Sequence, residues 1–308
     1  MKRDMNKNIL LGGIAVIAAG VFFACGGGEA DSSLNKVDST KIAGDTIDDT
    51  KSKIEQAQKV YYSIPSTSEM ASLLTTAGAE YNMKLVNDIN FVDKYTTPRK
   101  QALNLGIYGA DLNYCSIYER TNETMFYMEC TRSLAEKLGI ENAITDETVT
   151  RAEENIDNRD SMLTIISDMF YELEEYLAEN DKDELSALVI GAGWVEGLYL
   201  ATQTVNEKKP NQDIMSRIAE QKLSLGNLMK FIEQYIADED VKSLFDDLTR
   251  ISKIYEGIVV EKQETKVSTD SDGKTVIGGT TKVEMSTEQF KELRKVVKEI
   301  RDSYTKIK

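Results

Sequence analysis

Apolar residues recur every three or four positions along most of the chain after residue 47, which is the spacing of one face of an α-helix. Polar residues fill the intervening positions, so each segment is expected to bury one face. The pattern predicts an all-α protein, an antiparallel multi-helix bundle of about nine helices joined by short connections. The clearest stripes are Met162, Ile165, Ile166, Met169, Leu173 and Leu177; Ile214, Ile218, Leu225, Leu228, Ile232 and Tyr235; Leu244, Leu248, Ile251 and Tyr255; and Phe290, Leu293, Val297, Ile300 and Tyr304.

Helix ends are marked by residues that satisfy free backbone groups. Thr97-Pro98 supplies an N-cap and a proline for the first helical position. Residues 181–184 (DKDE) and 286–289 (STEQ) have the spacing of capping boxes, and Gly139 is typical of a helix C-terminus.

One segment departs from the helical pattern. Residues 258–285 are rich in Val, Thr and Lys, and Asp272-Gly273 lies at their centre. Asp-Gly flanked by β-branched residues favours a tight turn between two strands. The sequence therefore predicts one β-hairpin inserted near the C-terminus of the helical domain.

The first residues resemble a lipoprotein signal. A short basic start precedes an apolar run over residues 9–24, and Cys25 follows Ala24 directly. We expect a signal peptide at 1–24, lipidation of Cys25, a flexible tether at 25–46 and a helical domain at 47–308. A plain secretory signal cut near Ala24 and an uncleaved anchor helix are the alternatives. Position 26 is glycine, whereas the usual inner-membrane retention signal has aspartate there, so the outer membrane is favoured. The protein could lie on the periplasmic or the outer face of that membrane.

Composition excludes several classes of function. The chain has no histidine, so it lacks Ser-His-Asp catalysis, Cys-His catalysis and histidine-ligated metal sites. The net charge is −15, and no basic cluster follows the first residues, which argues against nucleic acid as a partner. We expect no cofactor and no bound metal.

Two segments are apolar on nearly all sides, which is typical of helices at the centre of a bundle. They cover residues 102–118 and 185–201, and each has small residues four positions apart. Gly106 lies in the first, and Gly193 and Gly197 lie in the second. Because a helix with an interior glycine is less stable than one with alanine, we expect these glycines to serve a close approach between the two helices.

The few polar residues of these two helices form the candidate ligand site. Asp111 lies one turn from Tyr108, and Glu196 lies near Trp194 and Tyr199. A buried carboxylate is costly unless it is paired, hydrogen-bonded or protonated. These five residues are therefore candidates for binding a ligand or a cation, and the alternative is a structural network that satisfies both acids internally.

Two cysteines lie on consecutive predicted helices. Cys115 and Cys130 are placed about equally far from the intervening turn, so an antiparallel helix pair would bring them to similar heights. A disulfide is compatible with an oxidising envelope, and two buried thiols are the alternative.

Residues 105–112 (LGIYGADL) and 193–200 (GWVEGLYL) resemble segments of uncharacterised all-helical lipoproteins of Bacteroidota. The resemblance spans roughly residues 64–204 and implies a cell-envelope location and an all-helical fold. It implies no activity.

These observations favour a lipid-anchored cell-envelope protein that acts as a binding or scaffolding module for an unidentified protein or small molecule. Two alternatives are a glycan-acting enzyme that uses Asp111 and Glu196, and a structural subunit of an outer-membrane assembly. The sequence favours a binding, scaffolding or structural role over an enzymatic one.

Overall fold

Helices make up most of the described part of the chain, which comprises residues 79–205, 211–262, 266–269, 275–278 and 281–307 of a computed structural model. The prediction of an all-α bundle is confirmed. The predicted count of about nine included residues 47–78, which lie outside the described residues. The α-helices are α1 (Pro98–Ile117), α2 (Thr121–Lys137), α3 (Asp146–Glu154), α4 (Arg159–Glu179), α5 (Asp183–Thr204), α6 (Gln212–Ile232), α7 (Glu239–Glu256) and α8 (Thr287–Thr305), with 3₁₀ helices at Ile89–Lys94, Glu141–Ala143 and Glu233–Tyr235.

Four short strands lie between α7 and α8. They are β1 (Val259–Lys262), β2 (Lys266–Thr269), β3 (Thr275–Gly278) and β4 (Thr281–Glu284). Strand β2 pairs with β3 and strand β1 pairs with β4, both antiparallel. The turn on which the hairpin prediction centres, Asp272-Gly273, lies outside the described residues, so the single hairpin stays a prediction.

Most of the predicted helix ends are correct. Thr97 caps α1 by accepting a hydrogen bond from the Lys100 N–H, and Ser286 opens α8 with both bonds of a capping box. The capping box predicted at 181–184 is wrong. Asp181 has a left-handed backbone (φ 52°) and closes α4, because its N–H donates to the Ala178 carbonyl, while α5 begins two residues later.

Helices α1 and α5 form the centre of the bundle, as predicted. Each is buried along nearly its whole length, and the two pack against each other and against α8. The apolar stripes of α4, α6, α7 and α8 supply the surrounding side chains, so nearly all of the core forms one continuous cluster, with Ile117 and Leu163 in a small second one.

The close approach of α1 and α5 occurs at Gly106 and Gly193. A Cβ placed on Gly106 would collide with the Val189 carbonyl oxygen and lie 2.8 Å from the Gly193 nitrogen. A Cβ on Gly193 would lie 3.3 Å from the Gly106 oxygen. The expectation that Gly197 takes part is wrong, since a Cβ there would meet no atom within 4 Å.

Helix α5 is also long and apolar enough to span a membrane, with a mean hydropathy of 1.4. In the fold, however, 83% of its most apolar window is buried inside the protein. The apolar surface of α5 is thus already covered by neighbouring helices.

Residues 79–95, here called the entry segment, lead into α1. They form turns and the 3₁₀ helix Ile89–Lys94, in which Asp88 caps the Asn90 N–H. Because so little regular structure is present, most of their backbone polar groups need partners elsewhere in the protein. Those partners are the side chains of the candidate site.

Candidate functional site

The two carboxylates predicted from the central helices are both fully buried. Glu196 on α5 accepts two hydrogen bonds from Arg301 of α8, one from Nε to Oε2 at 2.9 Å and one from Nη2 to Oε1 at 3.2 Å. This is a two-pronged, charge-assisted pair, which is the strongest form of carboxylate recognition by arginine. The guanidinium also lies 4.9 Å from the ring centroid of Tyr199.

Asp111 on α1 belongs to the same network. Its Oδ2 accepts a hydrogen bond from the Asn87 N–H at 2.9 Å. Its Oδ1 has no N–H or O–H donor among the described residues. Burial and the neighbouring charge of Glu196 raise the pKa of Asp111 well above its usual range, and a hydrogen bond to Glu196 raises it further.

The protonation states follow from these contacts. Burial raises the pKa of Glu196, but the charge and hydrogen bonds of Arg301 oppose that effect. Burial alone would lower the pKa of Arg301, and Glu196 outweighs it, so the guanidinium stays charged. These directions favour a proton on Asp111 and an ionised Glu196. In that state the buried network is electrically neutral, which makes it tolerable in a core.

Arg301 is the residue of this network that the sequence analysis missed. It lies four residues after Val297 and three before Tyr304, which places a cation within the apolar stripe of α8. A charged residue on the buried face of an amphipathic helix indicates a buried partner of opposite charge. That signal was present in the sequence, but it does not identify which acid is the partner.

The same side chains hold the backbone of the entry segment. Arg301 Nη2 donates to the Leu85 carbonyl at 3.2 Å, and the Tyr108 hydroxyl donates to the Asp88 carbonyl at 2.8 Å. Three further tyrosines act in the same way. The Tyr127 hydroxyl donates to the Asn87 carbonyl at 2.6 Å, and the Tyr118 hydroxyl donates to the Ala79 carbonyl at 3.0 Å. The Tyr114 hydroxyl accepts a hydrogen bond from the Asn82 N–H at 3.1 Å.

Asn87 links the entry segment to α1 directly and to α8 through Tyr95. Its side-chain N–H₂ donates to Tyr95 Oη at 3.0 Å and to Asn104 Oδ1 at 3.2 Å. The Tyr95 hydroxyl donates in turn to the Thr305 carbonyl at the end of α8. The network thus joins the entry segment, α1 and α8 through buried polar contacts.

Four of the five predicted ligand-binding residues come together around Arg301 and the entry segment: Tyr108, Asp111, Glu196 and Tyr199. Trp194 is buried on α5 but lies two positions before Glu196, a rotation of about 200° around the helix axis. The indole therefore lies on the opposite side of α5 from the network.

A third buried acid was not anticipated. Glu174 on α4 is 4% exposed, and its Oε2 accepts a hydrogen bond from the Ser186 hydroxyl in the first turn of α5. Its Oε1 has no partner among the described residues. Burial raises the pKa of Glu174 to about 8. Glu174 lies on the apolar face of α4, next to Leu173 and Leu177. As with Arg301, a charged residue on an apolar helix face was the feature of the sequence that could have indicated a buried charge.

Cys115 and Cys130 are free, buried thiols, which is the alternative to the disulfide. Cys115 Sγ lies 3.6 Å from the Tyr81 hydroxyl. Burial raises the pKa of each thiol to about 12, so neither is a thiolate at neutral pH. Cys25, the predicted lipidation site, lies outside the described residues.

The arrangement defines what the network can do chemically. A general acid must reach a reacting atom of the substrate, and neither Asp111 nor Glu196 has solvent-accessible surface. The described residues also contain no group of three acids or cysteines that could hold a metal ion. The geometry is suited to holding the entry segment in place.

No protein-family model, curated protein or solved structure matches this chain.

Proposed function

We propose that this protein is a lipid-anchored cell-envelope module that binds or scaffolds a partner through its surface. The proposal rests on the observation that the buried polar groups of the core bind the entry segment. The Arg301–Glu196 pair, Asp111 and Tyr108 all hold the entry segment, so the core provides a fixed helical body instead of a reaction centre.

The membrane anchor is inferred from the sequence. A basic start, an apolar run and Ala24-Cys25 favour transfer of a lipid to the Cys25 thiol. Several acyl chains on one residue would make the attachment stable. The glycine at position 26 favours the outer membrane, and the resemblance to Bacteroidota lipoproteins agrees with that location.

The partner is a protein or a small molecule. A net charge of −15 disfavours nucleic acid and anionic lipid headgroups, because binding to phosphates depends on clustered lysine and arginine. A site at Tyr108, Asp111, Glu196 and Tyr199 would require the entry segment to move, and Trp194 lies on the opposite side of α5 from these residues. A surface site avoids that cost.

We also propose that residues 258–285 form a single β-hairpin insertion closed by Asp272-Gly273. The antiparallel pairing of β2 with β3 supports it.

Lipidation is tested by labelling cells with tagged palmitate. We expect the wild-type chain to incorporate the label and to sediment with membranes, and Cys25→Ala to lose both properties. Cys115→Ala is the matched control, because it removes a buried thiol and leaves Cys25 intact. Labelling that persists in Cys25→Ala, or that is lost in Cys115→Ala, contradicts the proposal.

The scaffolding role is tested by comparing Glu196→Gln with wild type. If the network only supports the fold, the variant changes thermal stability and leaves partner capture per folded molecule unchanged. A selective loss of glycan hydrolysis in a fully folded Glu196→Gln protein would instead support the enzyme alternative.

A further inference from the structure

A second polar region lies away from the buried network, where four helix ends meet. A partly open cavity of about 130 Å³ lies between the turn that joins α1 and α2 and the connection that joins α3 and α4. Its polar lining consists of Ser116, Glu119, Thr121, Thr124, Asp157 and Arg159. None of these residues takes part in the contacts to the entry segment.

Two hydroxyl groups in the cavity wall lack a hydrogen-bond partner within the described residues. Ser116 is 3% exposed and Thr124 is 1% exposed, and neither side-chain oxygen is bonded. A buried hydroxyl on a helix usually donates to a carbonyl one turn back, as Thr131 on the same helix α2 does to Tyr127 at 2.7 Å. Two unpaired hydroxyls beside one cavity indicate a ligand that supplies the missing bonds.

One part of the cavity is electropositive. Helix α2 begins at Thr121, and its first turn has no side-chain cap. The preceding Arg120 cannot fill that role, because a guanidinium donates hydrogen bonds and accepts none; it lies instead 4.7 Å from the ring centroid of Tyr81. Free N–H groups at a helix N-terminus attract an anionic group, although Glu123 lies in the same first turn. Arg159 at the first position of α4 adds a positive charge that it shares with Asp160, whose Oδ1 lies 3.2 Å from Nη2.

Another part of the cavity is electronegative. Glu119 follows the C-terminus of α1 in a left-handed backbone conformation (φ 55°), and Asp157 lies in the connection after α3. These two carboxylates oppose the binding of a simple anion such as phosphate. Arg159 and the helix N-terminus likewise oppose a simple cation.

We propose that this cavity binds a small free α-amino acid, namely glycine, alanine or serine. Its carboxylate would face the N-terminus of α2, Thr124 and Arg159, and its ammonium group would face Glu119 and Asp157. A cavity of about 150 Å³ accommodates a molecule as large as benzene, so glycine, alanine or serine matches the available volume. The proposal is independent of the membrane anchor and of the buried network.

The test uses the full chain in mild detergent with L-serine as the probe. We expect serine to raise the melting temperature in a saturable way, because a ligand that binds only the native state stabilises it. Acetate and methylammonium, which each carry half of the zwitterion, should have much smaller effects. A serine titration without any change in melting temperature overturns the proposal, as does an equal or larger effect of phosphate.

Paired variants on α2 connect binding to the cavity. Thr124→Val removes an unpaired hydroxyl with little change in shape, and we expect the dissociation constant for serine to rise about tenfold by calorimetry. Thr131→Val removes a bonded hydroxyl outside the cavity and should lower stability without changing serine affinity. Ser116→Ala provides a second cavity variant in case Thr124→Val folds poorly. Equal serine affinities in wild type and both cavity variants contradict the proposal.

Discussion

Replacing Gly106 by alanine tests the packing that determines the centre of the fold. The added methyl group would collide with the Val189 carbonyl oxygen and would lie 2.8 Å from the Gly193 nitrogen and 3.0 Å from the Val189 carbonyl carbon. All three atoms belong to the backbone of α5. A side-chain rotation cannot relieve the overlap, so α1 and α5 must move apart.

The size of the effect follows from two opposing contributions. Alanine favours a helix over glycine by up to about 1 kcal/mol, which stabilises the variant. Overpacking in a close-packed core costs about 1–3 kcal/mol and occasionally more, and contact with backbone belongs to the upper part of that range. We expect Gly106→Ala to lower the free energy of unfolding by about 2–3 kcal/mol. The melting temperature should fall by about 5–10 °C for a domain of this size.

The chain contains a single tryptophan, and it is well placed to report this change. Trp194 is 3% exposed and lies next to Gly193 at the helix crossing, so its fluorescence follows the unfolding of the central pair. Urea titrations of the full chain, followed by fluorescence and far-ultraviolet circular dichroism, give the free energy of unfolding.

Gly197→Ala is the matched control on α5. A Cβ at this position meets no atom within 4 Å, so the variant should gain up to about 1 kcal/mol from helix propensity alone. Opposite signs for Gly106→Ala and Gly197→Ala are the expected result. If both variants are stabilised to the same extent, the two helices do not approach each other at Gly106 and the reasoning is refuted.

Three further predictions concern buried ionisable groups. Arg301→Met should lower the free energy of unfolding by about 3–5 kcal/mol at pH 8, because it leaves the Glu196 charge unpaired. The loss should be smaller at pH 5, where Glu196 can take up a proton. Equal losses in urea titrations at the two pH values would contradict this. Since the pKa of Glu174 rises from 4.5 to about 8 on folding, the native state retains a proton that the unfolded state loses, and the stability contributed by this group declines as pH rises from about 5 to 8. Glu174→Gln should remove about 4 kcal/mol of that decline. Glu172→Gln, at an exposed position of the same helix, should leave the decline unchanged. If the dependence of the unfolding free energy on pH is the same in Glu174→Gln as in wild type, Glu174 is ionised in the fold. Cys115 and its counterpart on α2 should react with a thiol reagent only after denaturation, and a failure to react in urea without reductant would indicate a disulfide.

The helical architecture could be predicted because its signals are local. Stripes with a period of three to four residues, together with caps such as Thr97 and Ser286, appear within one or two turns of the helices they define. The failure at Asp181 is also local in origin. The same residue types can close one helix or open the next, and the backbone conformation of Asp181 decides between these roles.

The entry segment could not be predicted because its partners are distant in sequence. The Asn87 carbonyl is bound by a tyrosine 40 residues away, and the Leu85 carbonyl is bound by Arg301, which is 216 residues away. A segment without periodicity carries no sign of which side chains will satisfy its backbone. The polar residues of α1 and α5 showed that a buried network was needed, but they did not show that part of the chain itself would occupy it.

This origin of the network explains why two carboxylates are retained in so apolar a core. Apolar residues of similar size are often at least as stable as a buried ion pair, so stability alone does not account for Arg301 and Glu196. Apolar side chains would, however, leave the Leu85 carbonyl and the Asn87 N–H without partners. Each unpaired buried backbone group costs about 1–3 kcal/mol. The charged groups are therefore best understood as the means by which an irregular segment is held inside a helical protein. It follows that Glu196→Leu combined with Arg301→Met, which removes both charges, should still destabilise the entry segment. Faster amide exchange at residues 79–95 in the double variant than in wild type, with exchange in α1 unchanged, would reveal it.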